Sequence, residues 1–235
     1  MPTDPSETAI GRHPHLANPV AAGRVRVDMH SHTMWSGDST TMPEELSISI
    51  VESGIDVLCI TDHNAIAGAV ELVDRLPCRV VVGEELRTAA GEIIGLFLVE
   101  RVPSGLGHVE AAREIREQGG LVYVPHPFDP MRRNLTEAAL YELAELGLID
   151  AIEVHNSKTS LASLNRRAAE FAAEFGLANG AGSDAHVPDA IGSAFVEMTD
   201  FTNAGEFLTA LRTGVVVGHH WDEPRQWSAR IVPSL

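Results

Sequence analysis

From Val25 onward, short β-branched runs alternate with stretches in which apolar residues recur at three- and four-residue spacing. The runs predict strands over 26–29, 56–60, 79–82, 93–99, 121–124, 151–154, 178–181, 194–198 and 215–217. Thr41 and Glu44 have capping-box spacing and open a helix that Gly54 stops. Further helices are predicted over 110–118 before Gly119, over 137–146 behind Thr136, over 161–175 before Gly176, and over 202–212 before Gly214. Strand–helix–strand repetition of this kind implies an α/β fold with a largely parallel sheet. No G-x-G-x-x-G turn follows the first strand and no Walker loop occurs, so a closed barrel of βα units fits better than an open nucleotide-binding sheet.

Residues 1–23 break the pattern. Pro2, Pro5, Gly11, Pro14 and Pro19 leave no sustained period there, which predicts an irregular arm ahead of one domain over 24–235. His13 and His15 fall in that arm and read as a solvated turn rather than a metal site. The length of 235 residues suits a single barrel domain, and no internal boundary is visible. No apolar run reaches the roughly 18 residues of a membrane span. The first residues also lack the basic and apolar regions of a secretion signal, so a cytoplasmic protein without membrane contact is expected.

Charge narrows the partners. Asp and Glu number 33 against 17 Lys and Arg, a formal charge of -16, which repels long nucleic acid. The two cysteines, Cys59 and Cys78, suggest neither a disulfide framework nor a thiolate metal site.

The histidines carry the chemistry. Of 11, six stand at or just after the predicted C-terminal end of a strand: His30, His32, His63, His126, His155 and His186. In a barrel those ends converge on one rim, where active sites are built. Asp28, Asp62, Glu85, Glu153 and Asp184 lie beside the same ends, and Asp38 follows in the first loop. Gathering so many acids and imidazoles in one concavity is unfavourable unless cations neutralise them, so divalent metal is the economical explanation. His30 and His32, two apart on an extended chain, face one way and can share an ion. Asp62 and Glu153 read as orienters of ligand histidines.

The segments D-M-H-S-H-T, I-T-D-H-N, V-G-E-E, V-P-H-P, I-E-V-H-N and G-S-D-A-H occur in order between about Val25 and Phe195. Together they resemble the PHP family, named for polymerase and histidinol phosphatase. The resemblance implies a single distorted (β/α)7 barrel with two or three divalent ions, zinc, manganese or iron, at the C-terminal strand ends. By motif, His30, His32 and Asp184 would hold the first ion, with Glu85 as a bridge. Glu85 rather than Glu84 fits the family's glycine, any residue, glutamate pattern. Glu85, His126 and His155 would hold the second, and His63 and His186 the third, with Asp38 as a partner. Two departures stand out. Asp38 comes six residues after His32 instead of five, and Ile94 stands at or next to a place where many members carry histidine.

The resemblance implies a phosphoesterase that cleaves a small phosphorylated molecule with a metal-activated hydroxide. Arg132 and Arg133, just after His126, are the basic residues best placed to clamp phosphoryl oxygens, and with Asp62 they form the candidate catalytic set. Two other classes fit less well. A noncatalytic metal module attached to a larger partner conflicts with the complete ligand set. A nuclease for short oligonucleotides conflicts with the acidic surface and an aromatic content of 5%.

Overall fold

Every predicted strand forms, and together they make one mixed sheet in the order β7-β6-β5-β4-β3-β2-β1-β8-β9. A computed structural model describes residues 13–221, so residues 1–12 of the expected arm and 222–235 of the expected domain lie outside the described residues. The strands are β1 (Arg24–Ser31), β2 (Val57–Ile60), β3 (Arg79–Thr88), β4 (Gly91–Leu96), β5 (Leu121–Val124), β6 (Ala151–Asn156), β7 (Ala178–Gly182), β8 (Ala194–Thr199) and β9 (Val215–Gly218). The helices are α1 (Pro43–Ser53), α2 (Ala67–Leu72), α3 (His108–Glu117), α4 (Glu137–Glu145), α5 (Ala162–Phe175) and α6 (Ala204–Leu211).

The sheet is not largely parallel. β1–β2, β2–β3, β5–β6 and β6–β7 pair parallel, whereas β1–β8, β3–β4, β4–β5 and β8–β9 pair antiparallel. The reason is local: a two-residue turn at Ala89 and Ala90 folds β3 directly onto β4, with Thr88 opposite Gly91. The sheet nearly closes on itself, because the chain after β7 returns to the end of β1. Asp184 N–H donates to His30 O at 2.8 Å, and His32 N–H to Ala185 O at 2.9 Å. Buried Asp28 fastens this seam, accepting from Ser183 N at 2.9 Å and Gly192 N at 3.0 Å. Architecturally this is an α/β fold with a nearly closed, barrel-like sheet.

Several boundaries move for identifiable reasons. The fourth strand stops at Leu96 rather than 99, because Phe97 takes a φ of 61° and Leu98 N–H turns to Val82 O. The cap of α1 is Met42, not Thr41: Pro43 starts the helix and Glu45 reaches back to accept from Met42 N–H at 3.1 Å. Thr136 caps α4 as expected, accepting from Ala139 N–H. The sequence pattern missed α2, which has no capping side chain and one glycine near its start. A Cβ on that glycine, Gly68, would stand 2.6 Å from the Asp62 carboxylate, so its absence lets the helix lie against the loop after β1.

Alternation along the strands sends Val27, Met29, Cys59, Ile94, Tyr123 and Val196 into one buried cluster inside the sheet. The opposite face meets α3, α4 and α5 through Ile93, Ile115, Val122, Leu140, Leu143 and Phe171. No helix among the described residues is long and apolar enough to cross a membrane. His13 and His15 do not form a solvated turn. His13 is buried, His15 Nε2 lies 2.8 Å from Ser53 O, and the His15 ring meets Phe195 edge-on at 4.6 Å. An imidazole that can donate to the end of α1 while covering an aromatic ring has reason to leave water.

Two expectations follow from this packing. A Cβ on Gly180 would stand 2.5 Å from the buried Tyr123 ring, so Gly180→Ala is expected to destabilise the fold by about 1–3 kcal/mol in urea denaturation. An unchanged midpoint would mean that Tyr123 withdraws freely. Burial holds the His15 pKa below 6.5, with smaller contributions of the same sign from Arg26 and His219. The unfolded chain therefore takes up a proton first as pH falls, so this contribution is present above pH 6.5 and is lost below it. Comparing wild type and His15→Gln at pH 7.5 and 5.5 should show a smaller acid loss in the variant.

Candidate metal centre

The strand ends bring the predicted residues together around Glu85, which lies within β3 because that strand runs on to Thr88 rather than stopping at 82. Glu85 Oε1 is 3.0 Å from His126 Nε2 and 3.5 Å from His30 Nε2. Its Oε2 is 2.9 Å from His63 Nδ1 and 3.4 Å from His32 Nε2. Asp184 Oδ1 lies 3.8 Å from His30 Nε2 and 3.5 Å from His32 Nε2. On the far side, Asp38 Oδ2 stands 3.3 Å from His63 Nε2 and 3.5 Å from His186 Nε2. Donor atoms from His30, His32 and Glu85, from His30, His126 and Asp184, and from His32, His63 and His186 form groups within 4.8 Å.

These distances suit metal ions. Donors bound at about 2.0–2.2 Å in a tetrahedron stand about 3.3–3.6 Å apart, the range in which most of these pairs fall. Tautomers give the same answer. His30 Nδ1 pairs with Glu153 Oε1 at 3.2 Å, His32 Nδ1 with Ser36 Oγ at 2.8 Å, and His186 Nδ1 with Asp184 O at 2.8 Å. If each Nδ1 donates, each Nε2 presents a bare lone pair. His30 Nε2 and His32 Nε2 then face one another at 3.1 Å, an arrangement that calls for a proton or a metal ion between them. Burial pushes the His32 imidazole down to about 3, with His186 and His63 acting the same way. His63 is opposed by burial but is raised to about 10 by Asp38 and Glu85. Nitrogen and oxygen donors without thiolates suit a divalent metal ion.

The local sequence explains how the loops deliver these groups. Buried Asp62 accepts from Thr33 N–H at 2.6 Å and from the Thr33 hydroxyl at 2.7 Å. Burial raises the Asp62 carboxyl to about 6. Thr33 in turn caps the short turn Met34–Ser36, after which Gly37, at φ 77°, sends the chain back so that Asp38 meets His63 and His186. That turn absorbs the extra residue between His32 and Asp38. Asp62, expected among the catalytic residues, thus acts on Thr33 rather than in the cleft, since both oxygens are spent on the loop. Glu153 does what an orienter should: Oε1 serves His30 and the Tyr123 hydroxyl, and Oε2 accepts from His126 N–H at 2.6 Å. His126 and Asp184 sit at φ 29° and 51°, strained backbones held by His126 N–H donating to Glu153 and by Asp184 N–H donating to His30 O.

His155 is the exception. β6 carries a bulge in which Glu153 and His155 oppose the consecutive residues Gly180 and Ala181 of β7. The extra residue puts Asn156, not His155, in phase with Glu153, and Asn156 Nδ2 donates to Glu153 Oε2 at 2.9 Å. The His155 ring packs beside Gly218 of β9 and belongs to none of the ligand groups. The expected second ion therefore lacks that ligand. Glu92 of β4, which the pattern did not single out, stands 3.9 Å from both His63 and His126 and joins His63 and Glu85 in a further donor group. The hairpin register was its signal: Glu85 opposes Ile94, so Glu92 lies two residues nearer the turn on the same face.

Asp38, His63, Glu85, Glu92, His126, Asp184 and His186 line a cleft of about 150 Å³ with Arg87, Arg132 and Arg133 on its wall, and His30 and His32 lie behind this lining. Arg132 Nη1 is 3.4 Å from Asp184 Oδ2, and this carboxylate raises the Arg132 pKa. Arg133 is exposed; its backbone oxygen accepts from Glu92 N–H at 2.8 Å.

A PHP domain family model matches residues 28–117, and a PHP-associated model matches 162–216. The uncharacterized protein MJ0417 of Methanocaldococcus jannaschii is 36% identical over 197 residues, which cover 80% of this chain and 79% of that one. The chain belongs to the PHP family. A second uncharacterized protein of that organism, MJ1587, is 38% identical over 146 residues, covering 57% of this chain and 82% of its own. The PHP fold is seen again in a two-domain protein from Bacteroides vulgatus, titled as containing a predicted PHP-like metal-dependent phosphoesterase. It has a TM-score of 0.67 at 20% identity, covering 86% of this chain and 67% of that one. PsfC from Pseudomonas syringae has a TM-score of 0.64 at 19% identity, covering 83% and 92%.

Within this PHP barrel, Glu153→Gln should keep the fold but loosen His30 and His126 together. Elemental analysis after dialysis is expected to show metal affinity reduced by about 10–100-fold. Undiminished metal content would remove Glu153 from the supporting role.

Proposed function

We propose that this PHP-family protein is a metal-dependent phosphoesterase that hydrolyses a phosphate ester of a small molecule. The supporting observation is the place of Arg132, whose guanidinium stands beside Asp184 on the wall of the same cleft into which the metal donors point. Two or three divalent ions, zinc, manganese or iron, suit the donors. His30, His32, Asp184 and Glu85 would hold one, His126 with Glu85 and Glu92 another, and His63, His186 and Asp38 a third. Bound there, such ions supply hydroxide near neutral pH and neutralise charge on oxygens during in-line displacement.

The chain's own groups do the rest. Arg132, partly shielded from water, gives a phosphoryl group directed hydrogen bonds while its own charge is balanced by Asp184. Arg133 and Arg87, more exposed, offer charge further out for the remainder of the substrate. Glu85 keeps four imidazoles in register, and Asp62, through Thr33, fixes the loop that carries Asp38. The narrow cleft and the acidic surface favour a small substrate over a nucleic acid strand.

The test is phosphate release from a panel of small phosphomonoesters and phosphodiesters with and without added divalent metal. Release should require metal and fall to background in His30→Ala and Asp184→Ala proteins that remain folded. In Arg132→Ala, kcat should fall by about 100–1,000-fold with metal content unchanged. Full turnover in the ligand variants, or no turnover by metal-loaded wild type on any ester, would overturn the proposal.

A further inference from the structure

A second cavity, of about 310 Å³, lies where the arm crosses β1, β8 and β9, on the face away from the interior cluster. None of the metal-cleft residues lines it. Its volume is at the lower end of the range of small-molecule sites, about 300–1,000 Å³. Phe195, Val217 and Pro14 make its apolar wall, and Arg26, Ser193 and His219 are among its polar residues.

Arg26 is the unusual feature. It is only 5% exposed, yet among the described residues no carboxylate makes an ion pair with its guanidinium. Nη2 donates to Asn18 O at 2.6 Å and His15 O at 3.3 Å, and the guanidinium carbon lies 5.6 Å from the Phe195 ring centroid, while the buried Nε has no hydrogen-bond partner among the described residues. Glu197 is its direct cross-strand neighbour, but that carboxylate is taken by Arg24, whose Nε lies 3.2 Å from Oε1. Arginine is seldom buried without a counter-charge, because two carbonyl oxygens do not replace the hydration of a cation. The Ser193 hydroxyl, fully buried on the same cavity, also has no hydrogen-bond partner among the described residues. Glu197 also lines the cavity with its charge met by Arg24, so a cavity holding an unneutralised cation, an unpartnered hydroxyl and an apolar wall is complementary to one kind of ligand.

We propose that the seam between the arm and the sheet binds a small organic anion, its carboxylate or phosphoryl head toward Arg26 and Ser193 and its apolar body on Val217 and Pro14. This site is separate from the metal centre. The ligand would bridge the arm to β1, β8 and β9 and supply the counter-charge that Arg26 lacks.

The test uses the full chain with metal bound. Benzoate and phenylphosphonate are titrated by calorimetry and by saturation-transfer NMR, the tighter of the two showing which head is preferred. Saturable binding is expected for at least one probe. It should persist in Asp184→Ala and weaken by about tenfold or more in Arg26→Met and in Val217→Phe, which fills the cavity. If Arg26→Met does not fold, Val217→Phe carries the test. No saturable binding of either probe to wild type, binding unaffected by the seam variants, or binding lost only in Asp184→Ala would each overturn the site.

Discussion

Glu85 is the group on which the rest of the centre depends. Almost wholly buried, it faces four imidazoles from three different strand ends, two on each oxygen. A carboxylate in that position cannot be solvated by water, so its charge must be met by cations, either protonated histidines or metal. Protons can meet part of it, with His30 donating to a neutral His32 across 3.1 Å, and divalent ions seated among the same donors would meet the rest.

Around this centre stands a ring of carboxylates that touch no cleft. Asp28 closes the seam between β1 and the chain after β7, Asp62 fixes the loop after β1, and Glu153 fixes His30 and His126. Each is buried, and each spends its oxygens mainly on backbone N–H groups or on the far side of a ligand ring. The cost of burying them is offset by backbone donors that would otherwise be unsatisfied at the frayed ends of strands. This explains why so acidic a chain concentrates carboxylates inside as well as outside its barrel.

Much of this was legible in the sequence because strand ends and histidines coincide there. The runs located all nine strands, and His30, His32, His63, His126 and His186 stood where their chain positions said they would. What escaped was set by pairing rather than by pattern. The direction of β4 depends on the two-residue turn at Ala89 and Ala90, and the place of Glu92 depends on the register that turn creates. The orientation of His155 depends on which residue of β7 opposes it. The packing of His13 and His15 depends on Ser53 and Phe195, which are remote in the chain, so a proline-rich segment looked like a solvated arm. α2 was missed because its place is set by a gap at Gly68 rather than by an apolar stripe.

The bulge in β6 has a wider meaning. With one residue more between Glu153 and His155, the same bulge would put the histidine in phase with Glu153, and an imidazole would enter where an amide now stands. A single codon gained or lost at that strand end could therefore recast the coordination environment while leaving the barrel intact. Related chains that differ there in length need not hold their ions with the same atoms, however closely their motifs agree.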